Sequence, residues 1–218
     1  VDTPYADYSS ILSYALSLVQ SEYVQIHALY TVTKKGGSDV EHWATVFTAL
    51  AYYQMYNTTG RLSLVPAGLR NAPVSDPYLV PNKLEQYKDE LKSNNINWIR
   101  QLNQGKAIWE QRTNYALESD LSQALTVSIV RQMVSRTRAA MEPYEFYLQE
   151  ATNYILMMSD LQAVLDEAVS NGELTSYTIN APTWAELAEA HSSTVNITIS
   201  IVVVKAFEVL NINYVISR

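Results

Sequence analysis

Gly105-Lys106-Ala107-Ile108-Trp109-Glu110-Gln111-Arg112-Thr113 lies at mid-chain, and its side chains alternate. Ala107, Trp109 and Gln111 fall on one side of an extended backbone, Ile108, Glu110 and Arg112 on the other. The spacing predicts a strand, with Trp109 largely buried. Residues 96–102 read as a second strand just before it. A long helix follows over about 119–140, with Leu117, Leu121, Leu125, Ile129 and Met133 spaced by four as its buried stripe. Strands and long helices in one chain predict an α/β (α+β) fold, a mixed β-sheet flanked by helices.

Toward the N-terminus, residues 8–22 read as a helix with Ile11, Leu12, Ala15, Leu18 and Val19 on one face. Residues 24–33 are β-branched and aromatic and read as one strand. Lys34-Lys35-Gly36-Gly37 is a turn. Ser38 and Glu41 have the spacing of a capping box, which predicts a helix from there to about Tyr56. Residues 57–82 carry four prolines and two glycines and read as an extended loop, followed by a short helix over 84–93.

Toward the C-terminus, Pro143 ends the long helix. A second helical stretch covers 144–170, with Asn171-Gly172 closing it. Residues 174–180 read as a strand. Thr183 and Glu186 form a second capping box, opening a helix to about Ala190. Two apolar strands finish the chain, 194–204 and 207–217. Val195, Ile197, Ile199, Ile201 and Val203 share a face of the first. Phe207 opens the second, where Leu210, Ile212, Tyr214 and Ile216 share a face and Val209 adds to its β-branched character. The segment is taken as a single domain, with an N-terminal part at 1–95 that holds the proline-rich loop 57–82 and a C-terminal part at 96–218 that ends in the terminal strands 194–204 and 207–217. It begins at Val1, so a piece of a longer chain is expected.

The chain has 218 residues, 48% hydrophobic and 17% charged, which is enough to build a core without staples. It has no cysteine, so disulfide and thiolate chemistry are excluded. The net charge is -7, from 22 acids and 15 bases. No basic stripe is present, so direct nucleic-acid binding is not expected. Arg131, Arg136 and Arg138 read as cations complementing a helix end. No apolar run reaches the ~18 residues of a membrane span, so membrane insertion is not expected. Tyrosine, at 16 against 3 phenylalanines, suits either a core or surfaces that become buried on assembly.

The sequence lacks a phosphate loop, a dinucleotide fingerprint and a nucleophile elbow. His27, His42 and His191 are widely separated. Asp160, Asp166 and Glu167 are spaced by six and seven and read as a solvated acidic face. No catalytic residue, cofactor or metal ligand is assigned. An enzyme would need a pocket around His42 or His191 with converging carboxylates.

The 105–113 stretch resembles a hallmark of the contractile tail sheath proteins of bacteriophages. That hallmark is a glycine, a short apolar strand with tryptophan, then arginine and threonine. Gly105, Trp109, Arg112 and Thr113 match it, and Glu110 stands where the family has glycine. The long helix, Glu142-Pro143 and the Asn171-Gly172-Glu173-Leu174 closure continue the resemblance over about 96–218. It implies stacked hexameric rings around a tail tube protein in a virion assembled in the host bacterial cytoplasm. Neighbouring sheath subunits would be linked by terminal strands that extend into each other's sheets. Contraction would drive the tube through the host envelope without nucleotide. The second terminal strand fits this role, because an apolar, β-branched segment with little charge to blunt its edge invites pairing. Another tail or baseplate component, or the sheath of a contractile secretion or bacteriocin particle, is the alternative.

Overall fold

A computed structural model of the chain describes residues 7–28, 30–33, 39–42, 44–60, 67–68, 73–74, 83–116, 119–145, 149–190 and 194–204. The fold is mixed helix and strand, with small sheets flanked by helices. The described residues divide into two compact units, one running to Val127 and the other Ser128–Val204.

The first unit is built on a three-stranded mixed sheet. β1 (Ile26–His27) runs parallel to β4 (Ile96–Leu102), and β4 runs antiparallel to β5 (Gly105–Trp109). β4 is buried on both faces, so its apolar residues do not alternate with polar ones. Ile96 and Trp98 pack with Ile11 and Ala15 of α1 (Tyr8–Ser17) and Leu91 of α3 (Lys88–Ser93). Ile99 and Ile108 pack with Ala51 of α2 (Thr45–Thr59) and Val74. The sheet is thus covered by helices on both sides. Asp7 caps α1, its carboxylate accepting from the Ser10 amide at 2.9 Å.

Residues 24–33 are not one strand. They form β1 and a separate β2 (Tyr30–Thr33), which pairs antiparallel with β3 (Asp39–His42) in the register Val32↔Val40. Of the expected capping box, Asp39–Glu41 lie in strand β3, Ser38 lies outside the described residues, and the helix starts at Thr45. The β-branched run opposite it offers a full ladder of backbone bonds, which outweighs a cap worth about 1 kcal/mol. α2 continues past Tyr56 to Thr59 and ends on Gly60 in the left-handed conformation.

α4 (Ala124–Met141) begins at the end of the first unit and continues into the second, where it ends in a 3-10 turn at Glu142–Tyr144 that holds Pro143. Ile129 and Met133 of the expected stripe are buried; Leu121 and Leu125 are half-buried, and Leu117 lies outside the described residues. α5 (Ala151–Ser170) is shorter than the sequence suggests and buries Leu161, Leu165 and Ala168. It packs against β6 (Leu174–Asn180), which pairs antiparallel with β7 (Thr198–Val203); α6 (Trp184–Ala190) connects the two strands. The α6 capping box forms as expected: the Glu186 amide donates to Thr183 Oγ1 at 3.3 Å and the Thr183 amide donates to Glu186 Oε2 at 2.6 Å.

Candidate assembly surface

The 105–113 stretch forms a structural joint in the first unit. Gly105 sits at φ +144 after the two-residue turn Asn103–Gln104, a conformation that side chains with a Cβ rarely adopt. Trp109 closes β5 opposite Trp98 but is only partly buried, with the Arg100 guanidinium 4.7 Å from its ring centre. Trp98, at 2% exposure, fills the core position that the alternation assigned to Trp109.

Strand alternation ends at Glu110. Its φ of 61 is left-handed, which accounts for glycine at this position in the sheath hallmark. Gln111, Arg112, Thr113 and Asn114 are then all buried. The side chain of Asn97 substitutes for a neighbouring strand there. Its Oδ1 accepts from the Arg112 amide at 2.7 Å, and its Nδ2 donates to the Arg112 carbonyl at 2.9 Å. Arg112 Nη1 donates to Ser122 Oγ at 3.2 Å, and Thr113 Oγ1 donates to the Leu121 carbonyl at 2.5 Å. These bonds join β5 to the turn that leads into α4.

The histidines and carboxylates are placed in structural roles where they are described. His27 is buried on β1, and burial pushes its imidazole down to about 3. Asp160 accepts from Tyr144 Oη, Asp166 accepts from Tyr177 Oη, and Glu167 pairs with Arg136. Arg136 thus bridges two acids instead of serving the α4 terminus: its Nη2 lies 2.8 Å from Glu167 and its Nη1 3.0 Å from Glu173. No group of three acids or histidines that could hold a metal ion occurs among the described residues. The side chains of His42 and His191 lie outside the described residues.

The β6–β7 ribbon is the two-stranded sheet of the second unit. α5 ends in a Schellman motif. The Gly172 amide donates to the Val169 carbonyl and the Glu173 amide to the Ala168 carbonyl, both at 2.9 Å, with Gly172 at φ +70. Glu173, 4% exposed and tied to Arg136, then fixes the entry to β6. A bulge between Leu174 and Ser176 rephases the strand, so that Leu174, Tyr177 and Ile179 share one face. Opposite them stand Val203, Ile201 and Ile199. Val195 and Ile197 continue that half-buried face just before β7, as the alternation predicted. Ser176, Thr178, Asn180, Thr198, Ser200 and Val202 form the exposed face.

Among the described residues the ribbon has two strands, and each is paired on one side. Neither β6 nor β7 contains a charged residue or a proline, the usual devices that protect an edge. The pairing of 174–180 with 198–203 was missed from sequence; the signal was the matched period-two spacing of Tyr177-Ile179 and Ile199-Ile201. Phe207, Val209, Leu210, Ile212, Tyr214 and Ile216 of the second terminal strand lie outside the described residues.

No protein-family model and no curated protein matches the chain. Solved structures do. The contracted sheath complex of PVC, an extracellular contractile injection system, matches 98% of this chain with a TM-score of 0.78 and 14% identity. The contracted helical sheath of the anti-feeding prophage matches 99% with a TM-score of 0.74 and 16% identity. A structure of the anti-feeding prophage baseplate matches the whole chain with the same score and identity. The chain spans 60–62% of the length of these proteins. At such identities the likeness is one of fold, and the fold is that of contractile sheath proteins.

Proposed function

We propose that this chain is a structural subunit of a contractile sheath, assembled with copies of itself as stacked hexameric rings around a tube protein. The observation that carries the reading is the match of 98–100% of the chain to sheath and baseplate structures of contractile particles. The uncharged β6–β7 ribbon supports it, because a sheath held by exchanged strands needs a sheet edge that accepts a guest. Backbone bonds join the subunits, and rigid units move between two packings when the sheath contracts. The account requires no nucleotide, cofactor or enzymatic step.

The particle is a phage tail in one version and an extracellular injection system in the other. The second version is favoured by the sheath structures themselves, which come from the anti-feeding prophage and PVC. Among the described residues no helix is long and apolar enough to cross a membrane.

Electron microscopy of the assembled protein tests the reading. Hollow cylinders with six-fold symmetry are expected; discrete rings or monomers at all concentrations overturn it in favour of a baseplate-type component. Deleting residues 207–218 is expected to leave a soluble, folded chain that no longer polymerises. Unfolding of that truncated chain would place the segment in its own domain.

A further inference from the structure

Asn171-Gly172 is the one Asn-Gly step in the chain, and it closes α5. Glycine bears no side chain, so its backbone nitrogen is the least hindered nucleophile that a preceding asparagine can meet. Asn171 is half-buried and Gly172 exposed, and a Cβ at Gly172 would meet nothing within 4 Å among the described residues. Water therefore reaches this peptide. The same peptide is held by the Schellman motif, in which the Gly172 amide donates to the Val169 carbonyl and the Glu173 amide to the Ala168 carbonyl. Asn171 keeps a helical backbone, φ -76 and ψ -5, and its Nδ2 donates to Glu167 Oε1 at 3.3 Å.

We propose that Asn171 is a site of spontaneous deamidation, gated by opening of the last turn of α5. The Gly172 nitrogen attacks Asn171 Cγ and gives up its proton. Nδ2 takes up a proton and leaves as ammonia, which closes a succinimide ring. Water then adds to one of the two ring carbonyls and opens it, leaving aspartate or isoaspartate at position 171. No oxidant or cofactor is consumed. Ring closure needs the Gly172 nitrogen swung toward Asn171 Cβ, a ψ far from the helical one, so both amide bonds of the Schellman motif break first. Conversion in the folded chain therefore runs at the intrinsic rate multiplied by the fraction of time the helix end is open. Two closing hydrogen bonds hold that fraction at roughly a tenth. The product sets a carboxylate at the negative end of the helix dipole, four residues from Glu167, where an amide donor stood before. Arg136 already serves Glu167 and the buried Glu173, and the new charge lands beside them. Isoaspartate also adds a methylene to the backbone of the turn that leads into β6. Both products weaken the junction of α5 and β6, whether or not the chain is a sheath subunit.

The chain is incubated in mildly alkaline buffer, folded in one sample and in guanidinium chloride in the other. Conversion at each asparagine is followed by peptide mass spectrometry, with isoaspartate read by enzymatic methylation. Asn171 should convert before every other asparagine in denaturant, and roughly tenfold more slowly in the folded chain. Protection of the Gly172 amide from hydrogen exchange by a like factor is expected, because one opening serves both processes. Another asparagine converting first in denaturant overturns the proposal. Equal rates in the two samples overturn it as well, since the turn is then no gate. So does a folded chain that stays unconverted over roughly a hundred denatured-state half-lives, since the end then stays shut. Asn171→Asp supplies one product directly and should unfold at lower denaturant than the unaltered chain. An unchanged or higher midpoint overturns the effect on the junction.

Discussion

Replacing Arg136 by leucine should destabilise the second unit by about 3 kcal/mol, at the lower end of the 3–5 kcal/mol typical of stranding one partner of a buried pair. Arg136 holds two carboxylates, and they differ in what happens on its loss. The Glu167 side chain is 64% exposed and returns to water, so that pair contributes about 1 kcal/mol or less. The Glu173 side chain is 4% exposed, and without Arg136 its charge is left inside the protein at the junction of α5 and β6. The arginine itself is 23% exposed, which places the estimate at the low end of the range. Leucine keeps the apolar stem, so the loss reads the charge and not a cavity. Three of the four tryptophans lie outside Ser128–Val204, so pulse-labelled hydrogen exchange of the α5 and β6 amides across a urea series reports this unit. With a slope of about 1.5 kcal/mol/M, the midpoint should fall by roughly 2 M. Adding Glu173→Gln to Arg136→Leu should restore part of the loss, since a neutral amide is cheaper to bury. A single-variant loss below about 1 kcal/mol, or a double variant worse than the single, refutes the reasoning.

Three further outcomes are expected in the first unit. Burial holds His27 at about 3 against 6.5 when unfolded, so the unfolded chain takes up a proton first as pH falls through that window. Stability should be full above pH 6.5 and drop by roughly 1 kcal/mol between pH 7.5 and 5.5, and a His27→Leu variant should lack this drop when the two pH values are compared by chemical unfolding. Glu110→Ala and Glu110→Gly both remove the ion pairs to Lys92 and Arg112, but only glycine relieves the left-handed backbone. The alanine variant should be less stable than the glycine variant by about 1 kcal/mol in the same assay, and equality would remove the strain argument. Trp98→Ala should cost about 3–5 kcal/mol and Trp109→Ala about 2 kcal/mol, because Trp98 is fully enclosed and Trp109 is not. The reverse order in thermal or urea unfolding would contradict the packing.

Two capping boxes show how far the sequence could be read. Thr183-Trp184-Ala185-Glu186 and Ser38-Asp39-Val40-Glu41 have the same spacing, and local geometry is enough only for the first. The second is overridden because Tyr30–Thr33 supplies a partner strand, a non-local contact that a pattern of spacing does not contain. The same distinction separates Trp109 from Trp98. Alternation marked a strand over 105–113, but the strand ends at Trp109, because the left-handed Glu110 and the bonds from Asn97 turn the chain inward and bury Gln111 to Asn114 together. Helix ends were legible where glycine fixes them, as at Gly172, and less so at α5, whose start has no side-chain cap. The apolar face of Val195 to Val203 was legible from its period of two. Its pairing with the strand read at 174–180 was not, since 17 residues and a helix separate Asn180 from Thr198.

The most direct test of strand acceptance is hydrogen exchange across Leu174–Asn180 and Thr198–Val203, measured in free chains and in assembled particles. The account predicts that outer-edge amides of at least one of these strands become strongly protected on assembly, because a neighbour's backbone now occupies that edge. Particles that form while both strands exchange as they do in the free chain would contradict it.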